Sequence, residues 1–325
     1  MHLNRTYILM GLKVALGAAL AILLANLLKL QYSATAGIIT VLSIMGTKRE
    51  TLRIAGARMM ALASALAIAA VCYGLLGFTL GAFTVYLFVF AVVCYACGWT
   101  YAIAMISVLI THFMSAGEMT WTMIGNEVLL FVIGTGCGIL VNLHLRADEK
   151  RMRAHLAEVD SLMKEALHAL SRREDAAAAL KALQTELTAA EKVAVTNADN
   201  QLGDVPLYPI RYVQMRANQR KILTQIASAM GRIDALTPQH DEVCALIARV
   251  ADEYHMENDV AALLTALDGV LNSMRAQALP VARGEFESRA VLYYVLLRLQ
   301  DFLLLKRQFY EENAASMPRS QSRRL

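Results

Sequence analysis

Along this chain apolar and polar residues first fall into long blocks and later alternate at short helical steps. Ile8–Leu28 is apolar except for Lys13 and Asn26, and Lys29–Tyr32 then makes a tight turn into a second apolar stretch, Ser33–Met45. A fully spanning helix needs about twenty apolar residues, and this second stretch is short of that. A basic elbow follows, and then four more apolar runs: Met59–Leu76, Ala82–Cys97, Tyr101–Met114 and Trp121–Leu145. Glycine-bearing or polar turns separate them at Gly77–Gly81, Gly98–Thr100 and Ser115–Thr120. Six membrane segments are predicted, several of them short, as where helices line a cavity instead of facing lipid all round.

Beyond Arg146 the blocks give way to a three- and four-residue rhythm. Leu156, Val159, Leu162/Met163, Ala166/Leu167 and Leu170 form one apolar stripe, and the last span is expected to run on unbroken to about Arg172. Further helices are predicted over 174–195, 211–236, 238–254, 258–278 and 285–312. Thr237 serves as N-cap of the 238–254 helix, with Pro238 in its first turn. The stretches 196–210 and 280–284 read as loops. On the last helix, Phe286, Ala290, Tyr293/Tyr294, Leu297 and Phe302 offer bulky core or interface contacts. No stretch reads as a strand. The expected fold is all-α: a six-segment helical membrane domain over 1–145, a helical bundle over 146–315, and a disordered basic tail over 316–325. Arg319, Arg323 and Arg324 in that tail are placed to touch anionic lipid.

Composition sharpens this division. The 325 residues are 57% hydrophobic with mean hydropathy +0.44, too apolar for an ordinary soluble protein. Seven Lys/Arg and three acids fall in residues 1–145. That leaves 24 of the 31 basic and 24 of the 27 acidic residues to 146–325. The second half is thus highly charged yet neutral, which describes a solvated helical surface and gives no reason to invoke nucleic acid. Counting positive charges in the short loops puts the N-terminus, the Lys48–Arg58 cluster, Arg146, Lys150 and Arg151 on the cytoplasmic side. The second half is therefore expected in the cytoplasm, and the protein in the plasma membrane as a multi-pass chain. The first apolar run is long and soon followed by another, so it is read as a retained anchor and not as a cleaved signal.

Ionisable groups within or beside such segments are functional candidates by default. Lys48, Arg49, Arg53 and Arg58 lie close together with only Glu50 opposing them. Arg53 and Arg58 either attract and bind organic anions or set topology and contact lipid headgroups. His112 and Glu127 fall at similar depth, where they either relay protons or form an interfacial polar cap. Thr35 and Thr40 on the short segment serve as helix–helix hydrogen bonds or as substrate ligands, and Lys13 can snorkel from near the end of the first span. Gly134 and Gly138 give a GxxxG spacing, for a contact within one subunit or across a dimer seam. Cys94 and Cys97 have redox-motif spacing, but they sit in a membrane helix without a βαβ context and read as packing residues. There is no phosphate-binding loop, nucleophile elbow or metal-ligand spacing, so neither a cofactor nor an enzyme is expected.

The segment Tyr32-Ser-Ala-Thr-Ala-Gly-Ile-Ile-Thr-Val-Leu-Ser, the basic stretch after it and Arg53-Ile-Ala-Gly56 resemble the bacterial aromatic acid exporter family, within the fusaric-acid-resistance-like superfamily. The family usually has Arg-x-x-Gly-Thr and a later small residue. Here Ala57 replaces the threonine, Ala61 stands at the later position, and Arg58 is additional. The second half is similar to the helical C-terminal domain of single-repeat members. The plant aluminium-activated malate channels look like distant relatives that pair two such units around a basic anion path. The resemblance implies a homodimeric exporter of small organic anions, aromatic carboxylates among them. It places Arg53 nearest the path, with Arg58, Lys48 and Lys13 behind it. A membrane-anchored sensor or scaffold, whose cytoplasmic helices bind a partner protein, is the alternative.

Overall fold

A computed structural model describes residues 5–44, 46–143, 147–203, 207–233, 237–253 and 260–313. Twelve α-helices and one 3-10 turn, Thr100–Ala102, account for nearly all of them, and the described residues contain no strand. The chain divides into two compact units. One comprises Met1–Arg146 with Asp199–Gly203, the other Ala147–Ala198 with Asp204–Leu325.

The first unit holds α1 (Arg5–Leu27), α2 (Ala34–Ser43), α3 (Lys48–Leu76), α4 (Leu80–Cys97), α5 (Ile103–Ala116) and α6 (Trp121–Leu143). Four of these, α1, α3, α4 and α6, are long and apolar enough to cross a bilayer; α2 and the Thr100–Ala116 stretch are shorter. The basic elbow is not a loop. Thr47 accepts the Glu50 N–H through its hydroxyl, and from Lys48 onward the elbow is the opening of α3. Thr47-Lys-Arg-Glu50 is a capping box in sequence, which starts the helix eleven residues ahead of the predicted span. Thr79 caps α4 in the same way, and Gly98 and Gly117 end α4 and α5 in the left-handed region where a side chain would be strained.

Small residues set the packing. Ala61, Ala65 and Ala69 form a fully buried face on α3, while Ala82, Tyr86, Phe90 and Cys94 repeat every fourth residue on the buried face of α4. Cys94 belongs to that core, whereas Cys97 is exposed. Outward-facing Leu75, Phe88, Tyr95 and Trp121 are all more than 70% exposed, as expected where the solvent is lipid.

The second unit comprises α7 (Glu149–Ser171), α8 (Ala177–Asp199), α9 (Tyr208–Met230), α10 (Pro238–Glu253), α11 (Ala261–Ala276) and α12 (Arg283–Asn313). The helix expected to run from the last span to Arg172 is interrupted. Ala147 and Asp148 are not helical, and the Asp148 carboxylate caps α7 by accepting the Arg151 N–H at 2.9 Å. The stretch read as a loop from 196 is helical to Asp199. The predicted stripe on α7 packs as expected: Leu156, Val159, Met163, Ala166, Leu167 and Leu170 are buried. On α12 the buried face is Leu292, Val295, Leu296, Leu299, Phe302, Leu303 and Phe309; of the residues expected to make contacts, Phe302 lies in it and Tyr293 packs partly buried against it, while Phe286 and Tyr294 are exposed. Pro238 opens α10, but the Thr237 hydroxyl has no hydrogen-bond partner and so does not cap it through its side chain. The tail over 316–325 lies outside the described residues.

A polar knot lies inside this bundle. The fully buried Arg216 guanidinium donates to Asp160 at 2.6 Å, to the Tyr212 hydroxyl at 2.7 Å and to the Gln219 side-chain oxygen at 3.1 Å. Gln219 then donates to the Phe302 carbonyl at 2.8 Å, tying α9 to α12. Interior charge of this kind is tolerated because its donors are satisfied.

Candidate functional site

The short helix α2 is the centre of the first unit. It packs on α1, α6 and α5, and glycines bring the backbones together. A Cβ on Gly134 would lie 2.6 Å from Ile39 Cβ and 2.7 Å from the Ala36 carbonyl oxygen, and one on Gly138 would lie 2.6 Å from Ser43 Cβ. On the other side, a Cβ on Gly37 would meet Ile22 of α1 at 2.7 Å. The Gly134/Gly138 motif therefore serves the intramolecular seam between α6 and α2. Thr40 is buried in that seam, where its hydroxyl lies 2.9 Å from the Ala36 carbonyl and 3.0 Å from the Gly134 carbonyl.

At the N-terminal end of α2, five side chains meet. His112 Nδ1 is 2.7 Å from Glu127 Oε2, and its Nε2 is 3.4 Å from the Thr35 hydroxyl. Glu127 is fully buried, and its other oxygen accepts from Asn126 at 3.0 Å. Asn126 also exchanges hydrogen bonds with the backbone N–H and carbonyl of Gln31. Tyr32 completes the cluster by stacking on the His112 ring, with centroids 4.0 Å apart. Its φ of 57° is in the left-handed region, which is uncommon for a bulky residue. Thr35, His112 and Glu127, scattered in sequence, thus form one connected hydrogen-bonded cluster.

At the other end of α2, Arg58 is only 3% exposed. Its guanidinium donates to Ser43 Oγ at 3.1 Å and to the Leu42 carbonyl at 2.9 Å, and lies over the Tyr101 ring at 5.8 Å. A cation here answers the exposed carbonyls and the negative dipole end of α2. The Arg58 Nε has no partner. Close by, Asn142 donates to the Thr51 hydroxyl at 2.6 Å, linking α6 to α3.

The remaining basic residues stand apart from these clusters. Arg53 is exposed on α3, Lys48 is half-buried at its start, and among the described residues neither makes an ion pair. Lys13 borders a groove of about 340 Å³ between α1 and α6, otherwise lined by Leu16, Gly17, Leu20, Cys137, Leu140 and Val141. Sequence reasoning missed Tyr32, Ser43 and Tyr101 as partners. Ser43 was inside an apolar run, and nothing local marks Tyr101 as a neighbour of Arg58.

Apolar helices that knit polar groups into their interior define a multi-pass membrane protein, and family membership makes it a transporter. The chain belongs to the aromatic acid exporter family: residues 9–145 match the model "Aromatic acid exporter family member 1" and residues 143–307 match "Putative aromatic acid exporter C-terminal domain". It is 28% identical over 307 residues to the uncharacterized protein YqjA of Bacillus subtilis (strain 168), covering 92% of this chain and 94% of that one. A crystal structure titled as that of a "putative membrane protein from Clostridium difficile 630" aligns at 22% identity and TM-score 0.45, over 50% of this chain and 99% of the other.

Proposed function

We propose that this protein is a homodimeric exporter of small organic anions, aromatic carboxylates among them, in the plasma membrane. In this reading α1–α6 are six membrane segments, and the N-terminus and second unit face the cytoplasm, in keeping with the charge asymmetry of the short loops. The carrying observation is the unpaired, exposed Arg53 on the opening of α3, one turn and a half from the buried Arg58. At 29 residues α3 is about 43 Å long, longer than the roughly 30 Å hydrocarbon core. Its first turns therefore extend beyond the core, and Lys48 and Arg53 collect anions at the cytoplasmic mouth. Thr35 and Thr40 supply hydroxyls along α2, with Lys13 and Arg58 flanking. A membrane potential negative inside favours anion exit by about 2.3 kcal/mol per charge per 100 mV. His112 and Glu127 are the assigned proton-coupling pair.

Electrogenic flux in proteoliposomes tests this reading, with benzoate and dicarboxylates as substrates and wild type compared with Arg53→Ala. Flux that disappears in a folded Arg53→Ala protein supports the path; unchanged flux removes Arg53 from it.

A second reading, a membrane-anchored sensor or scaffold, is favoured by one observation. Leu279 and Val281, in the α11–α12 turn, are about nine-tenths or more exposed, and Phe286 beyond them is 60% exposed. Absence of flux for every anion, with capture of a cytosolic protein lost on Leu279→Ser/Val281→Ser, would favour that reading.

A further inference from the structure

A second cavity, of about 250 Å³, lies wholly within the second unit. Its wall is formed by Leu170 at the end of α7, Arg173–Ala176 in the α7–α8 turn, Ala227, Met230 and Gly231 at the end of α9, and His240 in the first turn of α10. An engineered apolar cavity of about 150 Å³ holds benzene, so this volume suits a single ring with a substituent.

His240 is 4% exposed, and neither of its ring nitrogens has a hydrogen-bond partner. Beside it the Thr237 hydroxyl and the Gln239 side-chain oxygen are also buried and unpartnered. Buried polar atoms are normally satisfied, and so many orphans within four residues call for an explanation. Burial, reinforced by the nearby Arg173, holds the His240 imidazole below its ordinary range, opposed by Asp241. At neutral pH the ring is therefore uncharged, offering one N–H donor and one bare nitrogen.

The charges around the cavity narrow the class of occupant. Arg173 is already committed to Asp241, and Asp175 accepts the Ala177 N–H at 2.8 Å. Glu174 and Asp175 would repel a carboxylate at the rim, and an ammonium, a donor only, can serve the bare nitrogen but never the N–H. A hydroxyl answers either nitrogen, while Leu170, Ala176, Ala227 and Met230 take an apolar body. We propose that this cavity binds a small hydroxylated molecule of single-ring size, with His240 hydrogen-bonded to its hydroxyl. A phenol is the simplest member of that class. The proposal is independent of the transport reading, because no residue of the first unit contributes to it.

The test is fluorine NMR of 4-fluorophenol with the full-length protein in nanodiscs, using empty nanodiscs as the baseline for partitioning. Wild type should give saturable line broadening beyond that baseline, 4-fluorobenzoate should not, and His240→Leu should weaken 4-fluorophenol binding at least tenfold. Ala227→Leu, which fills the cavity but keeps the imidazole, should do the same and replaces His240→Leu if that variant does not fold. Broadening equal in wild type and both variants, none above the baseline, or stronger binding of 4-fluorobenzoate overturns the proposal.

Discussion

His112 Nδ1 and Glu127 Oε2 lie 2.7 Å apart in the interior of the membrane unit, joining α5 to α6 beside the N-terminus of α2. Thr35 and Asn126 extend this contact on either side, Thr35 beside His112 Nε2 and Asn126 donating to the second Glu127 oxygen. Glu127→Gln keeps the shape and removes the charge. Transport driven by a pH gradient is expected to fall about tenfold or more, matching the loss of one charge-assisted hydrogen bond of about 1.5–3 kcal/mol. Uptake into proteoliposomes with and without an imposed gradient measures it. A response to the gradient that survives in Glu127→Gln would leave the pair a purely structural role.

Arg58 and Arg53 should separate under mutation. Arg58→Met removes two charged hydrogen bonds and the cation at the end of α2, for an expected loss of about 2–4 kcal/mol in the stability of the first unit. Arg53→Ala, at an exposed site, should shift stability by less than about 0.5 kcal/mol. Unfolding of the purified protein in micelles reads both, and equal losses would contradict the burial difference between them.

The glycines of α6 provide an internally controlled comparison. Gly134→Ala places a methyl against the backbone of α2 and should destabilise by about 1–3 kcal/mol. Gly136→Ala meets nothing within 4 Å and should be neutral or stabilising by up to about 1 kcal/mol. The same unfolding assay decides, and tolerance of Gly134→Ala would mean that α2 and α6 are not in backbone contact.

Lys306 makes the stability of the second unit depend on pH. Its amine lies over the rings of Tyr212 and Phe309, and burial, aided by Arg216, lowers its pKa from 10.5 to about 7. Between those values the unfolded chain holds the proton that the folded one has released. Stability should therefore rise with pH from about 7 towards 10.5, by at most about 1.4 kcal/mol per unit. Below about pH 7 both states are protonated and this contribution is flat. Lys306→Met should abolish the rise, and thermal unfolding of the full-length protein from pH 6 to 10 would show it. A slope identical in wild type and Lys306→Met would assign it to other groups.

What could be read from sequence followed the strength of each local signal. The apolar helices were legible because lipid demands unbroken hydrophobic runs, and α7 because its stripe keeps a regular step. The start of α3 was missed although Thr47 and Glu50 spelled its cap, since four positive charges drew attention to a loop. Asp148 was overlooked as a helix start for a similar reason: polar residues on both sides disguised the break. The α2 clusters could be named only in part. His112 and Glu127 stood out as ionisable groups in apolar surroundings, but which atom meets which depends on tertiary packing. Arg58 was ranked behind Arg53 because sequence spacing does not reveal that Leu42 and Ser43 fold back beneath it.

The glycine contacts of α2 carry a mechanical consequence. At Gly134 and Gly138 the α6 main chain lies directly against Ile39 and Ser43 of α2, whereas at Gly37 the Ile22 side chain of α1 fills the space that a Cβ would need. Sliding of α2 along α6 would carry Ile39 and Ser43 off these two glycines and onto their bulkier neighbours. α2 and α6 are accordingly expected to move as one body, whereas α1 meets α2 through Ile22, a side chain that can yield.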